Sequence, residues 1–167
     1  MNQQIKNQTK TREKLYEPFY SDNIEKLTKD NQDYRRVLYT GPNQQFVLMS
    51  IQPKDEIKME IHEDHDQFIR IEQGEGKAII GKTEYVLKDD TGLIIPAGMP
   101  HQIINTSSTK TMKLYTIYSP KEHPKNLVQT TNPDKQVGGG LNNKYYLKYL
   151  KYKTKYSSLK NNLSNNK

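Results

Sequence analysis

A few side chains near the middle of this 167-residue chain have types and spacings that could do chemistry together. In the run Ile57-Lys58-Met59-Glu60-Ile61-His62, the apolar Met59 and Ile61 alternate with Glu60 and His62. A strand there would offer a carboxylate and an imidazole on one face. Side chains at i and i+2 of a strand lie about 6–7 Å apart, close enough to reach a single ion. Gln67 stands five residues beyond His62 at the head of the next apolar run, and His101 opens another after Pro96-Ala97-Gly98-Met99-Pro100. The chain has no cysteine, which excludes disulfides and thiolate chemistry and leaves His, Asp, Glu and amides as metal ligands.

Such residues need strands to hold them, and the texture from Arg36 onward supplies these. Nine short β-type runs follow one another, from RRVLYT through QFVLMSIQ, IKMEIH, QFIRIEQ, KAII, EYVLK, GLIIPAG and QIINTS to KTMKLYTIYS. Turn formers separate them: Gly41-Pro42-Asn43, Gly74-Glu75-Gly76, Gly81-Lys82 and Asp89-Asp90-Thr91-Gly92. The pattern predicts an all-β fold, an antiparallel sandwich or barrel, with a tight hairpin at Gly81-Lys82.

The flanks differ in character. Residues 1–33 read as a polar, loosely ordered arm whose aromatics Tyr16, Phe19 and Tyr20 could latch onto the barrel of residues 34–122. Residues 123–140, with Pro124, Pro133 and Gly138-Gly139-Gly140, read as a linker. In residues 141–167, Tyr145, Tyr149, Tyr152, Tyr156 and Leu159 recur at helical spacing with lysines on the adjoining stripe, predicting a basic helical tail. The net charge of +7 belongs to that tail: residues 135–167 hold eight lysines and no acid, while residues 1–134 hold 18 basic and 19 acidic side chains. A mean hydropathy of −1.00 and a hydrophobic share of 32% agree with one core flanked by polar tails. No apolar run approaches the ~18 residues of a membrane span, so a soluble, intracellular protein without membrane contact is expected.

The two chemistry-bearing stretches resemble the paired motifs of the cupin superfamily. Lys54, Glu60, His62, Gln67 and Gly74 fall on the first motif, and Asp90, Pro96, Gly98, His101 and Asn105 on the second, with the spacing P-x-G-x-x-H-x-x-x-N intact. Two opening glycines are replaced, by Lys54 and Asp90. RRVLYTG, DQFIRIEQGEG and LYTIYSP further resemble small bacterial cupins of the mannose-6-phosphate isomerase-like group. The resemblance implies an RmlC-like jelly-roll barrel with one divalent metal on Glu60, His62, Gln67 and His101. Relative to the usual three histidines and a glutamate, a carboxylate has moved to the first position and an amide stands in its place. That N2O2 set suits Fe, Mn, Ni, Co or Zn, with Gln67 either a ligand or an orienting group beside the ion.

An inward carboxylate without a cation carries a large desolvation cost, so Glu60 is expected both as ligand and as possible catalytic proton carrier. His65, between Asp64 and Asp66, reads as a solvated corner, or with His62 as part of a surface ion site. His123 reads as an ordinary loop histidine, and Arg70, alternating with Gln67, should point outward. The expected function is metal-dependent chemistry on a small molecule in the barrel, of isomerase or oxygenase type, in a homodimer. The alternative is a non-catalytic binding or virion-packaged protein. The tail resembles appendages on proteins of giant DNA viruses, which implies a virion or host-cytoplasm address, and its lysines and tyrosines could contact nucleic acid.

Overall fold

The computed structural model describes residues 19–135. The predicted helical tail and the first residues of the arm lie outside the described residues. Ten strands form two antiparallel sheets: β1 (Arg35–Thr40), β2 (Gln45–Ile51), β3 (Glu56–Glu60), β4 (Asp66–Gln73), β5 (Gly76–Ile80), β6 (Thr83–Leu87), β7 (Gly92–Ile95), β8 (His101–Asn105), β9 (Met112–Ser119) and β10 (Val128–Gln129). One sheet has the order β10-β1-β2-β9-β4-β7 and the other β3-β8-β5-β6. This is the two-sheet architecture that the alternating runs predict. The hairpin at Gly81-Lys82 forms, with Ile80 opposite Thr83.

Alternation along each strand sends one set of side chains between the sheets. On β4, Ile69 and Ile71 face inward while Phe68 and Arg70 face out, and Ile103 of β8 and Met49 and Ile51 of β2 meet them from neighbouring strands. This core ends, toward one rim of the barrel, at the polar residues Gln67 and His101, which continue the inward rows of β4 and β8. A row of apolar side chains thus gives way to a row of polar groups without a change of face.

Strand β3 needs a device to join them. Its pairing with β8 matches Ile57 to Ile103 and Glu60 to His101, three residues on one strand against two on the other, with a register shift between. An odd separation would place Ile57 and Glu60 on opposite faces. The bulge at Lys58-Met59 adds the extra residue that turns both inward. The simple alternation expected for this strand, with Glu60 opposed to the apolar face, is therefore corrected: Glu60 shares the face of the buried Ile57.

Two expectations for the flanks are also corrected. The arm is not loose throughout, because Ile24–Asp30 forms helix α1, capped by the Asn23 side chain on the backbone N–H of Lys26. Tyr20 and Leu27 pack on Phe46, Leu48 and Tyr115, covering the outer face of the larger sheet. Beneath the helix end, the buried Lys113 ammonium donates to the backbone carbonyl of Asn31 and to Ser50 Oγ. Residues 123–135, expected as the start of a linker, return to the barrel instead. There β10 pairs with β1, and the buried Asn132 side chain donates to Asp55 Oδ1 and to the carbonyl of Glu56.

Strand β8 lies against Gly76 of β5, where an added Cβ would lie 2.2 Å from the carbonyl oxygen of Ile104. Backbone cannot yield as a side-chain tip can. Gly76→Ala is therefore expected to lower stability by about 1–3 kcal/mol or more, read from urea unfolding.

Candidate metal centre

The bulge of β3 and the first residue of β8 bring Glu60 and His101 opposite each other, and His62 follows just after β3, anchored by the Gly98 N–H on its carbonyl at 2.6 Å. Glu60 Oε1 lies 3.2 Å from His62 Nε2 and 3.3 Å from His101 Nε2. Ligands around a tetrahedral ion at about 2.0–2.2 Å stand roughly 3.3–3.5 Å apart. Two of the three edges among these side chains thus already have the length found in a coordination shell.

The hydrogen bonding limits what could sit between them. His101 Nδ1 lies 2.9 Å from the carbonyl oxygen of Met99, and a carbonyl can only accept, so Nδ1 carries a proton. In the neutral ring Nε2 then has a lone pair aimed at a carboxylate oxygen, a repulsive contact unless a proton or a metal cation intervenes. Burial pushes the Glu60 carboxyl up, but where the intervening proton sits on the rings, hydrogen bonding and charge attraction from His101 and His62 outweigh it and hold the group below the ordinary carboxylate range. Glu60 is therefore an anion facing two imidazoles, a donor set suited to a borderline divalent cation.

Gln67 is 1% exposed, donates from Nε2 to Thr116 Oγ1 at 3.0 Å, and has an amide oxygen with no hydrogen-bond partner among the described residues. An orphaned acceptor on the inward row is what a ligand, or the partner of a bound water, would leave behind.

Beside Glu60 and His62 opens a cavity of about 550 Å³. One wall is β3, and the other is the returning segment with Glu122, His123 and Leu127. At its rim the sequence reading of His65 is corrected. His65 is 4% exposed, with its ring stacked on His62 at 4.4 Å between centroids. Its acidic neighbours in sequence concealed that burial. His123 is likewise part of the site, packed edge-on against the buried Tyr118 at 5.2 Å. Burial lowers its pKa to about 3, with the charge of Arg35 adding to the effect, so it stays neutral at physiological pH.

Comparison with known proteins decides the family. The sequence profile described as a cupin domain matches residues 47–118. The chain is 46% identical over 147 residues to the uncharacterized protein L612 of Acanthamoeba polyphaga mimivirus, covering 86% of this chain and 92% of that protein. The crystal structure of BH2720 from Bacillus halodurans superposes with a TM-score of 0.65 at 40% identity, over 69% of this chain and 90% of that one. This chain belongs to the cupin family. It is also 42% identical over 118 residues to the uncharacterized protein YrkC of Bacillus subtilis, covering 67% of this chain and 63% of YrkC.

Cupin membership explains the two replaced glycines. Lys54 has φ 60° and Asp90 φ 69°, the left-handed region also held by Gly74 and Gly98. The motif's four turn positions thus all keep a positive φ, two of them with a side chain that raises its cost by about 1–2 kcal/mol. Among the cationic residues, Arg70 does point away from the barrel, bound to Glu72 and Asp90. Arg35 and Lys58 line the cavity instead, unforeseen from sequence. Arg35 Nη1 donates to Gln129 at 2.9 Å, while its Nε is buried with no hydrogen-bond partner among the described residues. The available signal was alternation, since Arg35 shares the inward side of β1 with Val37.

The motif asparagine of this cupin is structural. Asn105 is fully buried, and its amide nitrogen is shared among the carbonyls of Ile51, Gln52 and Lys110 while its oxygen accepts from the Ser107 N–H. Asn105→Ala strands these groups and is expected to cost about 2–4 kcal/mol in urea unfolding.

Proposed function

We propose that this cupin holds one divalent ion between Glu60, His62 and His101, with Gln67 Oε1 as fourth donor, and acts on a small anionic molecule that enters through the cavity. The observation that carries the reading is the approach of both imidazole Nε2 atoms to one Glu60 oxygen at 3.2 and 3.3 Å, with edge lengths suited to a coordination shell. An ion bound there, whether Fe, Mn, Ni, Co or Zn, would supply Lewis acidity toward a substrate carbonyl or hydroxyl.

The chain's own groups divide the remaining work. Glu60 Oε1 faces both imidazoles, which leaves Oε2 to relay a proton; its lowered pKa makes it a weak base, so the substrate would have to be acidified by the bound ion. Tyr118 is unsuited to that task, because burial raises its pKa and keeps the phenol protonated. It serves as the surface against which His62, His65 and His123 pack edge-on. Arg35 Nε and the Lys58 ammonium would orient an anionic group of the substrate. Proton transfer of isomerase type uses Glu60 directly. We favour it over oxygenase chemistry, in which Glu60 would be a ligand alone. A homodimer through an edge strand is part of the proposal, supported by Val86 on β6 and Ile94 on β7, which are 82% and 75% exposed.

A second reading, a packaged or address-bearing viral protein, is favoured by one observation. The match to the mimivirus protein spans 147 residues, more than residues 19–135 contain, so the likeness extends into the flanks. Under that reading the tail of residues 141–167 supplies the address or binds nucleic acid, and deleting it should abolish salt-sensitive DNA retention in filter binding at low salt.

For the metal reading, elemental analysis of the purified protein is expected to find about one divalent metal per chain. Glu60→Gln and His101→Ala should each weaken its affinity by roughly 100-fold or more, above the 10–100-fold typical of groups that only orient ligands. Metal content unchanged in both variants would overturn it.

A further inference from the structure

We propose that the rim of the cavity carries a second divalent-cation site, built from His65 Nε2, the Glu122 carboxylate and the Nδ1 edge of His62, for a borderline ion such as zinc, cobalt or nickel. These three groups offer ligand atoms that all lie within 4.8 Å of one another. His65 Nε2 is 3.3 Å from Glu122 Oε2, and His62 Nδ1 is 3.8 Å from Glu122 Oε1. The spacings bracket the shell of an ion bound at about 2.0–2.2 Å.

What separates this cluster from a chance gathering of polar residues is the state of His65. Its Nδ1 faces Asp64 Oδ1 at 2.9 Å, and a carboxylate oxygen accepts, so the ring proton is used there. In the neutral ring that leaves the lone pair on Nε2, which is buried and, although 3.3 Å from Glu122 Oε2, makes no hydrogen bond among the described residues. An orphaned buried acceptor costs about 1–3 kcal/mol. A cation between His65 and Glu122 would satisfy it. A carboxylate on one imidazole nitrogen and a metal on the other is also the usual way a ligating histidine is held in its tautomer and orientation. The ring is fixed further by its stacking on His62 and its edge-on contact with Tyr118 at 5.6 Å.

His62 joins the two sites, since its Nε2 faces Glu60 and its Nδ1 faces Glu122. A neutral imidazole has one lone pair, so it ligates one ion at a time. With the inner centre filled, the rim retains His65 and Glu122 and binds more weakly. With the inner centre disabled, the rim gains His62. The rim site is therefore placed to receive an ion at the cavity mouth next to the inner centre.

Zinc titration by calorimetry on the full chain tests this. Wild-type protein is expected to bind two equivalents, one weaker than the other. Glu122→Gln, on an exposed loop, and His65→Gln should each weaken the second event by ~10-fold or more while sparing the first. Glu60→Gln should remove the tight event and leave one equivalent that Glu122→Gln then abolishes. Loss of zinc in Glu122→Gln together with indifference to Glu60→Gln and His101→Ala would leave the rim site standing and sink the inner centre. A single event untouched by Glu122→Gln and His65→Gln, or a second event that survives both, overturns the rim site. Far-UV circular dichroism of each variant establishes that the fold is retained.

Discussion

A carboxylate oxygen wedged between two imidazole nitrogens at the edge of an apolar core sets the terms for everything around it. Left alone, such a group would lose its hydration and gain only two contacts whose sign depends on a proton or a cation lying between. The protein does not soften this conflict by letting Glu60 swing to the surface. It fixes the residue with a β-bulge, pairs it across the ladder to His101, and holds His101 by a carbonyl on the far side of the ring. The arrangement demands a positive charge, a proton or a cation, between these groups, and the lowered pKa of Glu60 comes from the flanking imidazoles acting against its burial.

The surrounding fold reads as support for that demand. The inward rows of β4 and β8 carry isoleucines up to the point where Gln67 and His101 take over, so these polar groups rest on packed apolar side chains and not on loops. Asn105, two inward positions beyond His101 on β8, ties the opposite end of that strand to three carbonyls. His62 lies just beyond β3 and would be the most mobile of the three, but the Gly98 amide on its carbonyl and the rings of His65 and Tyr118 confine it. Positions are thus set by backbone pairing first and by aromatic packing second.

Much of this was legible in the amino-acid sequence, for identifiable reasons. Two-residue alternation marked the strands because each has one face against the core, and the spacing of Pro96, Gly98, His101 and Asn105 marked the turn and strand that present a ligand. The bulge in β3 was not legible, because it is a property of how two strands pair and no side chain at Lys58 or Met59 announces it. The burial of His65 was hidden by Asp64 and Asp66, whose charges suggest solvent while the ring between them turns inward. The return of residues 123–135 was hidden because it is made largely by backbone and polar contacts, such as the Val37 N–H on the Leu127 carbonyl and Asn132 on Asp55, which leave no periodic apolar pattern. Lys54 and Asp90 looked like losses of motif glycines, but backbone conformation was preserved where residue identity was not.

The cavity is walled on one side by β3, which belongs to the barrel, and on the other by a segment that adds little to the core. Of the residues that follow β9, Leu127 packs against the core only at its margin, and the fold is held by strands that precede it. Substitutions there can reshape what the cavity admits at small cost to folding. A family that keeps one barrel while changing its ligand would find its freedom in that segment, where selection on shape and selection on stability act on different residues.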